Sequence, residues 1–368
     1  MIILTLNSGS TSVKLAVYDT AARNVPARIE SEHHSGGEID PRAVLAGFLR
    51  KLRSPPDVVA HRVVHGGTRF TGPARVDDSV IAEIRKLSEL APLHNPKALE
   101  WIEAARAECG NVAQVAVFDT AFFNGLPRVA AEYALPSRIG VDHGVRRYGF
   151  HGLAHEAMWR RWCELHPDLR GGGRLITVQL GGGCSVTALD HGRPIDNSMG
   201  FSPLEGLVMA TRSGDVDPSI VPYLQKRLGL SAEEIVGLLD TGSGLAGLSG
   251  KSGSPSELLA DPAPQSQFAV ELYCYRLRKY IGAFCAVLGG CDGIVFGGGV
   301  GEHVPEVRER ALAGMAWAGI ELDTAANGSA RGAEASIHSH ASKVRVQVIP
   351  VDEELVMVRA ATAMMGPR

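Results

Sequence analysis

"MIILTLNSGSTSVKLAVYDTA" (residues 1–21) opens the chain, and its reading decides the fold. An apolar run, a knot of small polar residues and a second apolar run predict a strand, a tight turn and a strand. A plain hairpin explains Gly9. It does not require Asn7, Ser8, Ser10, Thr11 and Ser12 to crowd one bend, with Lys14 just beyond it. "RLITVQLGGGCSVTALDHGRPID" (174–196) repeats the design as strand, small-residue turn, strand, turn, strand. The echo lies in architecture rather than in identity, and it reads as an internal repeat.

At 368 residues the chain suits two domains. Apolar residues make up 45%, charged residues 21%, and the formal charge is −3. That balance gives no support for a nucleic-acid partner or a membrane surface. No basic segment precedes a long apolar stretch at the start, and no run reaches transmembrane length, so neither a signal peptide nor a membrane span is expected. Cysteines fall at 109, 163, 184, 274, 285 and 291 without a C-x-x-C pair, which predicts free thiols in a reducing cytoplasm.

Along the chain, residues 22–40 read as an irregular or edge region. "PRAVLAGFLRKL" has helical spacing, and "DVVAHRVVHGG" reads as a buried strand entering a glycine turn. "DDSVIAEIRKLSEL" predicts a helix capped by Asp77 or Asp78, and another helix is expected to start near Pro96. "VAQVAVFDTAFF" predicts a buried strand ending at Asp119. Near residue 150 the pattern restarts. "GIVFGGGVGEH" (293–303) follows a strand and precedes the helical "VPEVRERALAGMAWAG". The chain closes on the strand "VRVQVIPV" and the short helix "DEELVMVRAATAMM". Strands alternating with helices predict an α/β protein with covered sheets. The expected boundaries are 1–149 plus 354–368 for one domain and 150–353 for the other, with a cleft between them.

Two small-residue turns, one per domain, can present backbone N–H groups and hydroxyls to a polyanion. Neither is a Walker A loop, and either alone reads equally as an ordinary hairpin turn. The third cluster, "GGGVGE", favours phosphate or nucleotide binding. Arg62 stands in an otherwise apolar strand and Arg212 in a Gly/Asp loop. A buried arginine needs a partner or a ligand, and two such groups suit a transferring phosphoryl group. Asp119 and Glu353 close strands, where they can serve a metal ion or act as a base, or simply cap a helix. His151, between Phe150 and Gly152, reads as a structural donor or a catalyst. Leu93 in "PLHNP" can wall a small pocket or merely turn the chain. His61, His65 and His94 match no standard metal spacing.

Together, "NSGSTSVK", "HRVVHGG", "PLHNP", "VFDTAF", "RRYGFHG", "GFSPLEGLVMATRSGDVDP", "GGGVGE" and "IPVDEEL" resemble the acetate kinases, the short-chain acyl kinase family, over the whole chain. The resemblance implies two duplicated actin-like (ribonuclease H-like) domains with an interdomain cleft. It also implies reversible phosphoryl transfer between ATP and acetate, giving acetyl phosphate and ADP with Mg²⁺, for which Mn²⁺ can substitute. Asn7 and Glu353 then correspond to the metal and phosphate site. Ser10, Ser12 and Lys14 correspond to the first phosphate turn. Arg62 and Arg212 match the family's arginines that hold the carboxylate and the phosphoryl group, Asp119 matches its essential acid, and His151 its transition-state histidine. Val64, Leu93, Phe150 and Pro203 match its apolar acyl pocket. Gln179, Gly181, Gly182 and Gly183, with Gly298, Gly299 and Gly301, line the nucleotide side. A homodimer is implied as well.

The departures cluster on the donor side. Where the family reads His-Leu-Gly-Asn-Gly, this chain has Gln179, Leu180, Gly181, Gly182, Gly183. Its Ser-Asp-x-Arg becomes Gly253, Ser254, Pro255, Ser256. Alternatives therefore stand beside ATP and acetate: another nucleotide or pyrophosphate as donor, or propionate as acceptor. A nucleotide-responsive scaffold on the same fold is a rival from outside the enzymes.

Overall fold

Ile2–Ser8 (β1) and Ser12–Asp19 (β2) form the antiparallel hairpin, with Asn7 opposite Lys14 and Ser8 opposite Val13. The computed structural model describes residues 1–9, 12–21, 26–36 and 39–366, so Ser10 lies outside the described residues. Around this hairpin a sheet grows from Ala27–Ser35 (β3), Val58–Val63 (β4), Ala74–Arg75 (β5) and Ala113–Phe118 (β6), in the order β3-β2-β1-β4-β6-β5. The strand β3 is the edge expected for the polar stretch, and its side chains are mostly exposed. Strands β1, β4 and β6 run parallel to one another. One face of this sheet packs Ile3, Ala60 and Val117 against Val356, Met357 and Val358 of helix Glu353–Met365. The other packs Leu4, Leu6 and Val59 against Leu45, Phe48 and Trp101 of helices Pro41–Leu49 and Asn95–Cys109. Both faces are covered, which is why these strands read as continuous apolar runs.

The second sheet has Arg174–Leu180 (β7), Cys184–Asp190 (β8), Arg193–Asn197 (β9), Gly293–Gly297 (β10), Ala335–Ser336 (β11) and Arg345–Val348 (β12), in the order β11-β12-β10-β7-β8-β9. Here β7-β8-β9 are antiparallel while β7, β10 and β12 are parallel. Strand for strand this is the plan of the first sheet: a three-strand meander, two parallel additions and a two-residue antiparallel edge. The chain is thus an α/β protein with two duplicated ribonuclease H-like sheets. One compact unit comprises Met1–Asn124, His151–Ala157 and Asp352–Arg368; the other comprises Gly125–Phe150 and Met158–Val351.

Several local expectations shift. Asp77, rather than Asp78, caps its helix and accepts from Val80 N at 2.8 Å. The strand before Asp119 ends at Phe118, and Asp119 opens a 3-10 turn. The helix expected over 304–319 stops at Leu312, because Gly314 adopts φ +75°. The 24-residue helix Pro264–Val287, opened by Pro264 in its first turn, is a further element that the sequence reading did not assign. Among the described residues, no helix is long and apolar enough to cross a membrane.

Candidate active site

In the first unit the parallel strands deliver their chemistry at their C-terminal ends, where open α/β sheets hold ligands. Register aligns Leu6 with His61 and Val63 with Phe118, so Asn7, Arg62 and Asp119 reach one edge. Arg62 donates from Nε and Nη2 to Asp119 Oδ2 at 3.0 and 2.8 Å. Its Nη1 donates to Asn7 Oδ1 at 3.1 Å and to Glu353 Oε2 at 3.2 Å. Asn7 Nδ2 in turn donates to Glu353 Oε2 at 2.7 Å and to Glu354 Oε1 at 2.8 Å. The amide is therefore fixed on both sides. Glu354, buried beside the expected Glu353, escaped the sequence reading because "DEEL" offers two equivalent acids. Both acids sit in the first turn of helix Glu353–Met365, where the helix dipole favours negative charge.

Charge in this cluster is balanced but desolvated. Burial opposes the charge on Arg62, yet attraction from Asp119 and Glu353 outweighs it and raises its pKa. Burial pushes the Asp119 carboxyl up; Arg62 pulls it back and Glu353 repels it further. Leu153 N donates to Asp119 Oδ1 at 3.4 Å. A Cβ on Gly152 would fall on the Asp119 carbonyl oxygen, so only glycine lets this segment approach. His151 has a backbone φ of +58°, a conformation costing a non-glycine residue about 1–3 kcal/mol and typical of functional sites. One turn further, His155 is fully buried and held neutral, chiefly by burial and then by its neighbour His151.

The remaining predicted residues of this unit fall in different settings. Val64 is buried just beyond β4, whereas Leu93 is 48% exposed. Ser12 accepts from Gly9 N at 2.7 Å through its carbonyl, and Lys14 stands exposed opposite Asn7.

The second unit uses backbone instead. Gly181 N donates to Gly183 O at 3.0 Å, closing the turn between β7 and β8. Gly298 has φ +75°, and an added Cβ would lie 2.6 Å from Leu180 O and 2.7 Å from Gln179 Nε2. The two glycine segments thus lie against each other, with Gly299 and Gly301 continuing the second one through helix Gly298–His303. Glu302 Oε1 accepts from Gly298 N at 2.9 Å and from Val351 N at 3.1 Å, fixing this turn. Gln179 Oε1 is buried with no hydrogen-bond partner among the described residues. Ala210 N donates to Gly182 O at 3.1 Å, which ties the Arg212 loop to the glycine turn. Arg212 Nη1 reaches Pro203 O at 3.3 Å, and its Nε pairs with Asp240 at 2.9 Å. Phe150, also of this unit, is buried. Asp240 is a second residue that sequence reading missed, since nothing local links it to position 212.

Among the described residues, no group of three or more His, Cys, Asp or Glu side chains is placed to hold a metal. All six cysteines are free.

Glycine turns and Arg212 in one unit, and Arg62 with buried carboxylates in the other, on a duplicated ribonuclease H-like fold, have the chemistry of a phosphotransferase. The Acetokinase family profile matches residues 43–359. The chain is 40% identical to the acetate kinase of Solibacter usitatus over 98% of its length and 97% of that protein. It superimposes on the crystal structure of Porphyromonas gingivalis acetate kinase with a TM-score of 0.89 at 35% identity, covering 99% and 100% of the two chains. On a propionate kinase from Francisella tularensis the TM-score is 0.86 at 32% identity, covering 98% of each chain. The chain belongs to the acetokinase family, phosphotransferases whose acceptor is a carboxyl group.

Proposed function

We propose that the chain transfers the γ-phosphoryl group of ATP directly to acetate, reversibly and with Mg²⁺, giving acetyl phosphate and ADP. The carrying observation is the Arg62 cluster, in which one buried guanidinium is held by Asp119, Asn7 and Glu353. Such a group is oriented before substrate arrives, and phosphoryl transfer depends on positioning and charge compensation more than on covalent help.

In this reading Arg62 binds the acetate carboxylate through its charge and the one N–H left uncommitted, on Nη2, and Val64 supplies apolar wall for the methyl group. One carboxylate oxygen attacks the γ-phosphorus in line; the new O–P bond forms as the bond to the bridging oxygen breaks, and ADP carries away that electron pair. Asp119 holds Arg62 in place through two hydrogen bonds. His151 and Arg212 donate to the oxygens of the transferring group, while the turns at 182–183 and 299–301 present backbone N–H groups to the phosphates. Asn7 Oδ1 and Glu353 Oε2 already accept from a cationic nitrogen, so their oxygens suit a hard divalent cation. Mg²⁺ held there would neutralise phosphate charge; a site with so few protein ligands fits an ion that shares phosphate oxygens and water.

The reading extends to a homodimer in the cytoplasm. Helix Ile220–Leu228 has no buried side chain, and Ile220, Tyr223 and Leu228 stand exposed near Val216, Val236 and Leu238 in sequence, which supports a second copy covering them. Sedimentation of Leu228→Glu tests this: a dimer that becomes monomeric is expected, and a monomeric native chain overturns it. A second reading concerns the donor. With Gly182 and Ser254-Pro255-Ser256 small and uncharged, another nucleotide or pyrophosphate remains a substrate to test.

Hydroxylamine trapping of acyl phosphate from acetate, propionate and butyrate, each against ATP, GTP and pyrophosphate with Mg²⁺, decides between them. Turnover with ATP and acetate is expected. Turnover only with another pair moves the specificity, and silence from folded protein leaves the scaffold.

A further inference from the structure

Asp240 lies near the C-terminal end of helix Ala232–Thr241, one residue before its last. The helix dipole disfavours an acid there, so local helix stability does not explain the residue. Its partner does. Asp240 Oδ1 takes Arg212 Nε at 2.9 Å, with the two side chains 22% and 16% exposed. Around this pair the backbone is stitched tightly. Ser213 N donates to Leu239 O at 2.9 Å, Ser243 N to Thr211 O at 2.9 Å, and Thr211 Oγ1 to Asp240 O at 3.0 Å. Leu245 N and Ala246 N donate to Met209 O and Ala210 O, each at 2.9 Å. The loop bearing Arg212 is thereby fixed to the segment bearing Asp240.

We infer that Asp240 is a positioning residue for the phosphoryl-transfer step, acting through Arg212; this rests on the function proposed above. Asp240 holds Nε and the Pro203 carbonyl holds Nη1, so two of the three guanidinium nitrogens are committed within the protein. Nη2 makes no hydrogen bond among the described residues and is the nitrogen left to donate to a phosphoryl oxygen. A planar fork held along one edge can turn neither its face nor its tip, which removes the freedom that a lone arginine would lose on binding. The Ala210-to-Gly182 hydrogen bond places this fork on the loop that is tied to the glycine turn. The Nε contact is an ion pair, so the charge of the carboxylate is what holds the guanidinium there, and asparagine does not replace it.

The experiment compares Asp240→Ala, Asp240→Asn and Arg212→Ala, alone and combined, by steady-state kinetics with acetate and ATP. Asp240→Ala is expected to lower kcat by about 10²-fold, the scale of a misplaced catalytic group, with the KM for acetate within about twofold. Asp240→Asn, which keeps the shape and removes the charge, is expected to fall most of the way to Asp240→Ala, again with the KM for acetate within about twofold. In the Arg212→Ala background, Asp240→Ala is expected to cost nothing further, because the residue acts only through Arg212. Additive losses in the double variant, or an Asp240→Asn variant that keeps native turnover beside a poor Asp240→Ala, overturn the inference. If Asp240→Ala does not fold, Asp240→Ser, whose hydroxyl is too short to reach Nε, takes its place in the same cycle. Should Arg212→Ala itself keep native turnover, the functional reading of Arg212 fails instead. Loss in Arg212→Ala with native turnover in Asp240→Ala rejects only the role of Asp240.

Discussion

The two sheets share one strand plan, yet the C-terminal ends of their parallel strands carry opposite kinds of chemistry. The first unit ends β1, β4 and β6 on or beside Asn7, Arg62 and Asp119, side chains that fix one another through five hydrogen bonds with Glu353. The second ends β7 and β10 in Gly181–Gly183 and Gly297–Gly299, which offer backbone and no side chains. A duplicated scaffold can thus separate its tasks. A small acceptor carboxylate needs a few aimed charges, whereas an extended polyphosphate needs many N–H groups and close approach. Each half of that contrast predicts a different kind of failure on mutation.

The largest effect is expected in the first unit. Arg62→Met removes the one cationic partner of Asp119 among the described residues, leaving a carboxylate buried beside Glu353. Breaking a buried pair this way costs about 3–5 kcal/mol of stability. Loss of a charge-stabilising donor adds at least a ~10²–10³-fold fall in kcat. Urea midpoints and the hydroxamate assay measure the two effects. If both stay within twofold of native values, the side-chain half of the comparison breaks.

Next in size is Gly298→Ala in the second unit. The substitution forces a φ of +75° on alanine and brings its Cβ within 2.6 Å of Leu180 O. Strain of about 1–2 kcal/mol in the nucleotide turn corresponds to roughly a tenfold higher KM for ATP. The KM for acetate should stay within about twofold. Equal effects on both substrates would mean that the two units do not divide the task.

How much of this was legible in the sequence follows the same contrast. Glycine turns repeat visibly, because backbone chemistry demands a residue type at a fixed place; the duplicated strand plan was readable from residues 1–21 and 174–196. Arg62 was also readable, since a charge within an apolar strand stands out. Glu354 and Asp240 were not. Their meaning lies in partners 347 and 28 positions away, Asn7 and Arg212, and no periodicity encodes such pairings. The break at Gly314 was missed for another reason: a lone glycine in a helical pattern is tolerated as often as it stops the helix.

Acid provides a third test. His61 is fully buried in β4, with Nε2 on Gln114 Oε1 at 2.8 Å and Nδ1 unpartnered among the described residues. Burial lowers its pKa from the ordinary 6.5 to about 4. The unfolded chain therefore binds a proton that the folded chain refuses. Stability is full above pH 6.5 and falls as pH drops toward 4, by about 2 kcal/mol at pH 5 for this residue alone. Asp119 works with the opposite sign: its pKa is raised, so its contribution is full at low pH and is lost as pH rises through the folded value. It cannot be the source of an acid loss. Denaturant midpoints at pH 7 and pH 5 should show a smaller drop in His61→Leu than in the native chain. An unchanged slope would place the acid sensitivity in other groups.

The smallest expected effect bears directly on the departure from the family pattern. At Gly182 an added Cβ meets nothing within 4 Å, and the residue is not among those with positive φ, so a side chain fits without strain. Gly182→Asn therefore restores the family's amide at no cost to the turn, whose neighbour Ala210 donates only to the Gly182 carbonyl. One neutral hydrogen bond to phosphate is worth about 0.5–1.5 kcal/mol, so the KM for ATP should fall by roughly two- to tenfold, with kcat unchanged. That outcome would mean that the second unit has shed a side-chain contact and kept its backbone ones. An unchanged KM for ATP, with a gain for pyrophosphate or another nucleotide, would show that the bare turn is shaped for a different donor.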